Sequence, residues 1–281
     1  MAELPAAQRL DLREVAVDDV LSRVEVSLQL ALNREGSIRK RRSIGFRADR
    51  GTWVRVECRG LDRFDGQGWG LEAAQSLDGV PVPNWYAGIS WLDTKRRVLW
   101  RADETQLVEE ARVGRAANAP NLPDTWWAEF NAAMDQLVGL ATSHTATPDG
   151  KPITPERVEM AIRKIFPDAA GLHIDEWTTA HADLNWANMT GPRLWILDWE
   201  DFGRAPRGLD AANLWFGSLA VSEVAEKVYR SRRHDLDSRS SQVMQLFKCA
   251  ELMAWADEAE PLYLPARREA DRLRSLLLER H

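Results

Sequence analysis

The stretch His181-Ala182-Asp183-Leu184-Asn185-Trp186-Ala187-Asn188 is followed closely by Leu194-Trp195-Ile196-Leu197-Asp198-Trp199. Two carboxylates, Asp183 and Asp198, and one amide, Asn188, are thus held at fixed spacing around short apolar runs. Phosphoryl transfer from a nucleotide needs such a set. One carboxylate orients the attacking hydroxyl and accepts its proton, while a carboxylate and an amide oxygen hold magnesium against the phosphates. Magnesium prefers hard oxygen ligands, which Asp and Asn both offer. Single parts of the pattern carry little: a lone His-x-Asp is commonly a surface or core-bracing pair, and an Asp-Trp dipeptide alone means nothing. A metal centre built on His173 and His181 is disfavoured, because no His pair has helical ligand spacing with a carboxylate nearby.

The interval from Asp183 to Asn188 matches the H-R-D-x-x-x-x-N catalytic-loop pattern, with Ala182 in place of Arg. The whole segment resembles the H-G-D-x-x-x-x-N and hydrophobic-hydrophobic-D-W motifs of aminoglycoside phosphotransferases, choline kinases and type II homoserine kinases. Downstream, Gly203, Gly208, Leu209, Asp210 and Ala211 resemble that family's G…D-L/I-A stretch, whose Asp helps to anchor the catalytic loop. The resemblance implies an α+β, two-lobed, protein-kinase-like fold. A small antiparallel β lobe with one main helix would bind nucleotide, and a larger, mainly helical lobe would carry catalysis and the acceptor. It implies ATP and Mg2+ as cofactors, Asp183 as the catalytic base, Asn188 and Asp198 as the magnesium ligands, and His181 as the catalytic-loop residue that braces the base.

Upstream the match thins. The family places a phosphate-binding Lys on its third strand, positioned by a Glu on the next helix; here the corresponding residues are Arg55 in Thr52-Trp53-Val54-Arg55-Val56-Glu57, and Glu72. Arg keeps the charge but is longer and planar, so the exchange is not conservative. A simple strand Arg is the rival reading. The phosphate-covering loop is expected between about Asn33 and Arg42, where Gly36 and the run Arg39, Lys40, Arg41, Arg42 replace the usual Gly-rich turn. The connection between lobes is expected near Arg101-Ala102-Asp103-Glu104-Thr105.

The elements that must carry these residues read as follows. Val17 to Leu32 fits either a helix or an early strand. Ser43 to Phe46 and Thr52 to Cys58 read as a hairpin about a turn-like Arg-Ala-Asp-Arg-Gly. Gly70 to Leu77 is helix-compatible, and Asn84 to Leu92 with Arg97 to Trp100 make a second hairpin. Lobes are expected at 1–103 and 104–281. Beyond residue 104 helical spacing dominates, from Leu122 to Ala141 and from a Thr154 N-cap with Pro155 and Glu156 to about Phe166. The chain ends in an Arg-rich amphipathic segment, Ala266 to Glu279.

Composition narrows the function. Hydrophobic residues at 44% and charged residues at 28% are a globular balance. The net charge of −6 disfavours nucleic acid as a partner, although residues 34–63 hold ten Arg or Lys against four Asp or Glu. No long uncharged apolar run suggests a membrane span, and the opening residues lack the order of a secretion signal, so a cytoplasmic location is expected. Cys58 and Cys249 read as buried thiols. Three functions stay open. The first is a phosphotransferase moving the γ-phosphate of ATP to a hydroxyl of a small molecule, with acidic Glu200, Asp201, Asp257, Glu258 and Glu260 and the faces of Trp199 and Trp255 receiving a cationic acceptor. The second is a kinase-like enzyme for Ser or Thr of a peptide, working with a partner protein. The third is a nucleotide-binding pseudokinase scaffold.

Overall fold

The structure is a computed structural model that describes residues 10–61, 70–169 and 171–279. The amino-terminal residues 1–9, read above for a leader, and Asp62 and Arg63, at the end of the basic stretch, lie outside them. The chain packs as two compact units, one comprising residues up to 75 with 83–109, the other 76–82 with 110 onward. Among the described residues no helix is long and apolar enough to cross a membrane.

In the first unit, α1 (Asp18–Leu28) buries Val20, Leu21, Val24 and Leu28 on one face and carries Asp18 and Asp19 in its first turn, where acidic charge suits the helix dipole. Gln29, left-handed at φ 54°, ends it, and β1 (Leu32–Arg39) follows. The ambiguous opening segment is therefore both a helix and a strand. β2 (Ser43–Ala48), β3 (Thr52–Gly60), the short α2 (Gly70–Ala74), β4 (Trp85–Asp93) and β5 (Val98–Gln106) complete the unit. The strands form one antiparallel sheet ordered β1-β2-β3-β5-β4.

Strand alternation sorts the side chains of this sheet. Ile44, Phe46, Val54, Val56, Cys58, Trp100 and Ala102 join the buried cluster with α1. Each such aliphatic side chain contributes about 1.5–3 kcal/mol when fully buried. Arg55, Glu57, Arg59, Arg101 and Asp103 alternate with them and line the opposite face. Among the described residues, α1 is the helix whose apolar stripe joins this buried face.

Two expectations are corrected here. Arg101 to Thr105 is no connection between lobes but the interior of β5, paired with β3 on one side and β4 on the other. Most of the span from Asn33 to Arg42 is β1, irregular between Asn33 and Ile38 where Gly36 takes φ 70°; only Lys40 to Arg42 turns into β2. Cys58 and Cys249 are buried free thiols, which burial pushes up to about 11 and about 12.

The second unit contains β6 (Ala111–Arg112), α3 (Asp124–Gly139), α4 (Pro155–Ile165), β7 (Trp177–Ala180), β8 (Thr190–Gly191), β9 (Gly203–Pro206), α5 (Leu209–Phe216), α6 (Ser222–Ser231), α7 (Arg233–Leu236), α8 (Arg239–Met253) and α9 (Tyr263–Leu278). The Thr154 hydroxyl caps α4 by accepting from the Arg157 N–H at 3.2 Å. α8 is buried along most of its length, with α4, α5 and α9 packed on it. β7 pairs antiparallel with β9, and β6 with β8.

β9 starts at Gly203 because another backbone crosses there. A Cβ on Gly203 would lie 2.5 Å from both the Ala146 nitrogen and the Thr145 carbonyl carbon. These are main-chain atoms, unable to rotate away. Gly203→Ala is expected to destabilise the protein by about 1–3 kcal/mol, the usual cost of overpacking, read as a lowered denaturant midpoint at unchanged slope. An unchanged midpoint would contradict the close approach.

Candidate active site

The chemistry-bearing segment leaves β7 at Ala180 and runs as a loop to a single 3-10 turn at Trp186–Asn188. Asp210, in the first turn of α5, receives both N–H groups at the head of this loop. Its Oδ2 accepts from the His181 N–H at 2.7 Å and its Oδ1 from the Ala182 N–H at 2.8 Å. Burial pushes the Asp210 carboxyl up; the neighbouring His181 and the two N–H donors oppose that push.

His181 is completely buried. Its Nε2 lies 2.9 Å from the Leu197 carbonyl and its Nδ1 accepts from the Asp183 N–H at 3.3 Å. A carbonyl can only accept and an N–H can only donate, so the ring is the neutral Nε2–H tautomer. Burial lowers its basicity in the same direction, outweighing the attraction of Asp210 and Asp198 for the protonated form. Trp199 packs edge-on to the imidazole at 4.7 Å. His181 is a strut between the Asp183 peptide and the residue before Asp198.

Asn188 donates its amide N–H to the Asp183 carbonyl at 2.9 Å and to Asp183 Oδ2 at 3.0 Å. Asn185 reaches Asp183 Oδ1 at 3.3 Å and accepts from the Ala187 N–H at 2.9 Å. The Asp183 carboxylate is therefore oriented by an amide on each oxygen. The Leu197 N–H donates to the Asn188 carbonyl at 2.8 Å, which brings the residue before Asp198 alongside Asn188. Asp198 sits in the left-handed region at φ 68°. Of the four residues expected from the sequence, His181, Asp183 and Asn188 are thus joined by hydrogen bonds, and Asp198 follows Leu197, whose main chain bonds both His181 and Asn188.

In the first unit, Arg55 and Glu72 stand apart in their pairing. The salt bridge of Arg55 among the described residues is to Glu57 at 3.3 Å, and that of Glu72 is to the buried Arg101 at 3.0 Å. Arg101 also grips Asp103 with two nitrogens, and Asp103 accepts from Trp85 Nε1 at 2.8 Å. Sequence reasoning missed Arg101, which it assigned to a connection; the alternation of Arg101 and Asp103 with Trp100 and Ala102 was the available signal. Within the basic run, Arg39 is spent on the Leu12 carbonyl at 2.7 Å, whereas Lys40, Arg41 and Arg42 are exposed.

Of the aromatic faces suggested for an acceptor, Trp199 is excluded: it is 1% exposed and turned against His181. Trp255 is 74% exposed, beside a groove lined also by Lys164, Phe216, Lys248 and Glu251. Asp201 is engaged by the Thr147 hydroxyl at 3.0 Å.

No protein-family model matches the sequence, and no curated protein sequence does either. Solved structures do. An aminoglycoside phosphotransferase, APH(4)-Ia, solved with AMP-PNP and hygromycin B, superposes with a TM-score of 0.57 at 15% identity, covering 92% of this chain and 98% of its own. Choline kinase LicA from Streptococcus pneumoniae gives 0.56 at 14%, over 92% and 98%. An amicoumacin kinase solved with AMP-PNP, Ca2+ and its antibiotic gives 0.55 at 9%, over 93% and 94%. The fold is that of the kinase-like phosphotransferases. At such identities the likeness is one of fold.

The neutral, buried His181 has a pH consequence. Its basicity in the folded protein lies below the ordinary histidine value, so below about pH 6.5 the unfolded chain binds a proton that the native state refuses. Stability then falls as pH falls through that value, by up to about 1.4 kcal/mol per pH unit. Asp210, pushed the other way, opposes this in the carboxylate range. His181→Gln is expected to flatten the loss between pH 6.5 and 5, measured by urea unfolding at stepped pH; an equally steep loss in the variant would refute the assignment.

Proposed function

We propose that this kinase-like chain is an ATP- and magnesium-dependent phosphotransferase that moves the γ-phosphate to a hydroxyl of a small-molecule acceptor. The observation that carries the reading is the assembly of Asp183, Asn188 and Asp198, with His181 between its two halves. An idle scaffold would not need an amide on each oxygen of Asp183, because fixing a carboxylate plane is costly in side-chain entropy and useful where a hydroxyl must be aimed.

Asp183 is the proposed base. Its oxygens retain acceptor capacity beyond the two amide contacts, so it can take the proton of the acceptor hydroxyl as the new O–P bond forms and the bond to the β-phosphate bridging oxygen breaks. Asn188 and Asp198 are the proposed magnesium ligands. The Asn188 nitrogen is committed to Asp183, which leaves its Oδ1 as the ligand atom. Among the described residues no cluster of three His, Cys, Asp or Glu side chains could hold a metal alone. A cation held by one carboxylate and one amide oxygen must complete its shell with phosphates and water, which is how magnesium is commonly bound in such sites. When bound, the ion neutralises charge on the phosphates.

For the nucleotide, Arg55 and Glu72 are the proposed binding residues of the first unit, and Arg101 joins them as the partner of Glu72. Two of the solved neighbours named above, the aminoglycoside phosphotransferase and the amicoumacin kinase, hold AMP-PNP together with an antibiotic, which supports a small-molecule hydroxyl over a peptide. A cytoplasmic location suits this reading, since ATP is abundant there and both thiols are free.

Two experiments test the function. Asp198→Asn is expected to abolish magnesium-dependent transfer with little change in melting temperature, and Asp183→Ala to slow transfer by about 10²–10⁴-fold while ATP affinity, read by thermal shift, is nearly retained. Turnover by Asp198→Asn at saturating magnesium would refute the metal role. For the nucleotide, Arg55→Ala is expected to weaken Mg-ATP binding about tenfold to a hundredfold, as for loss of a charge-assisted contact. Binding that survives Arg55→Ala but not Arg101→Ala, measured by calorimetry, would transfer the phosphate role to Arg101.

A further inference from the structure

Among the described residues four that are not glycine have positive φ: Gln29, Arg97, Ala182 and Asp198. Gln29 ends a helix and Arg97 lies in the tight turn of the β4–β5 hairpin. The other two flank the proposed reaction centre, where strain of this kind tends to be kept. Ala182 is the more constrained case. At φ 70° its Cβ crowds the following carbonyl, a conformation that glycine adopts freely and alanine does not. Since Ala182 is 1% exposed, no water relieves its peptide groups.

What holds it there is visible on α5. The Ala182 N–H donates to Asp210 Oδ1 at 2.8 Å, and the Ala182 carbonyl accepts from Asn213 Nδ2 at 3.1 Å. Asp210 and Asn213 are three residues apart and so lie on one helix face. Both polar groups of one strained residue are therefore gripped by one turn of one helix. The Asn213 amide makes this contact at a cost, for its Oδ1 is buried with no protein donor among the described residues. A residue placed there only to pack would be apolar, since an unpaired buried carbonyl is destabilising.

We infer that Asn213 is a positioning residue for the proposed phosphotransfer: with Asp210 it clamps Ala182 in the left-handed conformation that sets the direction of the Asp183 side chain. The Ala182 carbonyl belongs to the peptide whose N–H is that of Asp183. If this peptide rotates, the Asp183 N–H leaves His181 Nδ1, and the Asp183 carboxylate turns away from Asn188 and Asn185. The clamp is needed because alanine stands where glycine would hold the conformation unaided. This inference rests on Asp183 acting as the base.

The test is a cycle over Asn213→Ala and Ala182→Gly, read as steady-state Mg-ATP turnover and as melting temperature. In the native background, Asn213→Ala is expected to lower kcat about tenfold with KM for ATP nearly unchanged, the mark of a group that acts on the reacting geometry and not on nucleotide binding. In the Ala182→Gly background the same substitution should cost less than about twofold, because a glycine needs no clamp. An equal loss in both backgrounds, or no loss in either, overturns the inference. Melting temperature separates this outcome from failure of the proposed function. Even if no variant turns over ATP, Asn213→Ala should lower the melting temperature by several degrees more in the native than in the Ala182→Gly background, and strictly additive shifts would again overturn the clamp.

Discussion

The structure of the second unit depends on one carboxylate accepting two main-chain N–H groups. Asp210, 8% exposed, would be an expensive residue to bury alone, and its bonds to His181 and Ala182 make the burial tolerable while fixing where the loop begins. The placement is inherited from further inside. Gly208, at φ 78°, starts α5 with its Cα against Ser241 of α8, so close that a Cβ would lie 2.5 Å from the Ser241 side chain. Ser240, next on α8, accepts the Asp175 and Glu176 N–H groups at 3.1 Å before β7 begins. The buried polar residues of α8 therefore set both the strand that enters the loop and the helix that grips it.

His181 converts that anchoring into geometry at the second carboxylate. A charged imidazole could not do the same work. Protonated, it would present an N–H to the Asp183 N–H, and one strut would become a repulsion. Complete burial excludes water from both bonds and keeps the ring neutral, so the same desolvation that costs stability in acid preserves the hydrogen-bond directions. Trp199 closes the remaining side of the ring, which explains why an aromatic residue follows Asp198 and why that residue is unavailable to a ligand.

The grouping of the second unit's candidate residues was legible because they lie within eighteen positions of one another and their spacing is tied to a short loop and strand pair. The antiparallel sheet was likewise visible in the β-rich runs, as was the Thr154 cap. What the sequence hid depended on long-range packing. The choice of α1 as the helix covering the sheet follows from which apolar stripe meets Ile44, Val54 and Trp100, and no local pattern reports that. The partner of Glu72 could not be read either, since Arg55 and Arg101 are 46 positions apart yet occupy the same sheet face, and only the β3–β5 register separates them. The left-handed conformation of Ala182 was hidden by its identity, because alanine signals nothing where glycine would have marked the turn.

The polar face of the first unit's sheet sharpens the question of how a nucleotide would be held. Arg55, Arg59 and Arg101 are matched by Glu57, Glu72 and Asp103, with Glu57 within 3.3 Å of Arg55 and 3.2 Å of Arg59 and Arg101 bound to both Glu72 and Asp103. Among the described residues, each of these arginines therefore already has a carboxylate partner. A triphosphate that engaged one of these arginines would have to displace a carboxylate or bring its own cation. The exposed Lys40, Arg41 and Arg42 at the β1–β2 turn supply further positive charge, and the proposed magnesium would add to it. On this reading, side-chain charge at that turn replaces the backbone N–H groups of a glycine-rich loop, and nucleotide affinity should be unusually sensitive to ionic strength because exposed charges are screened within about 8–10 Å of salt solution.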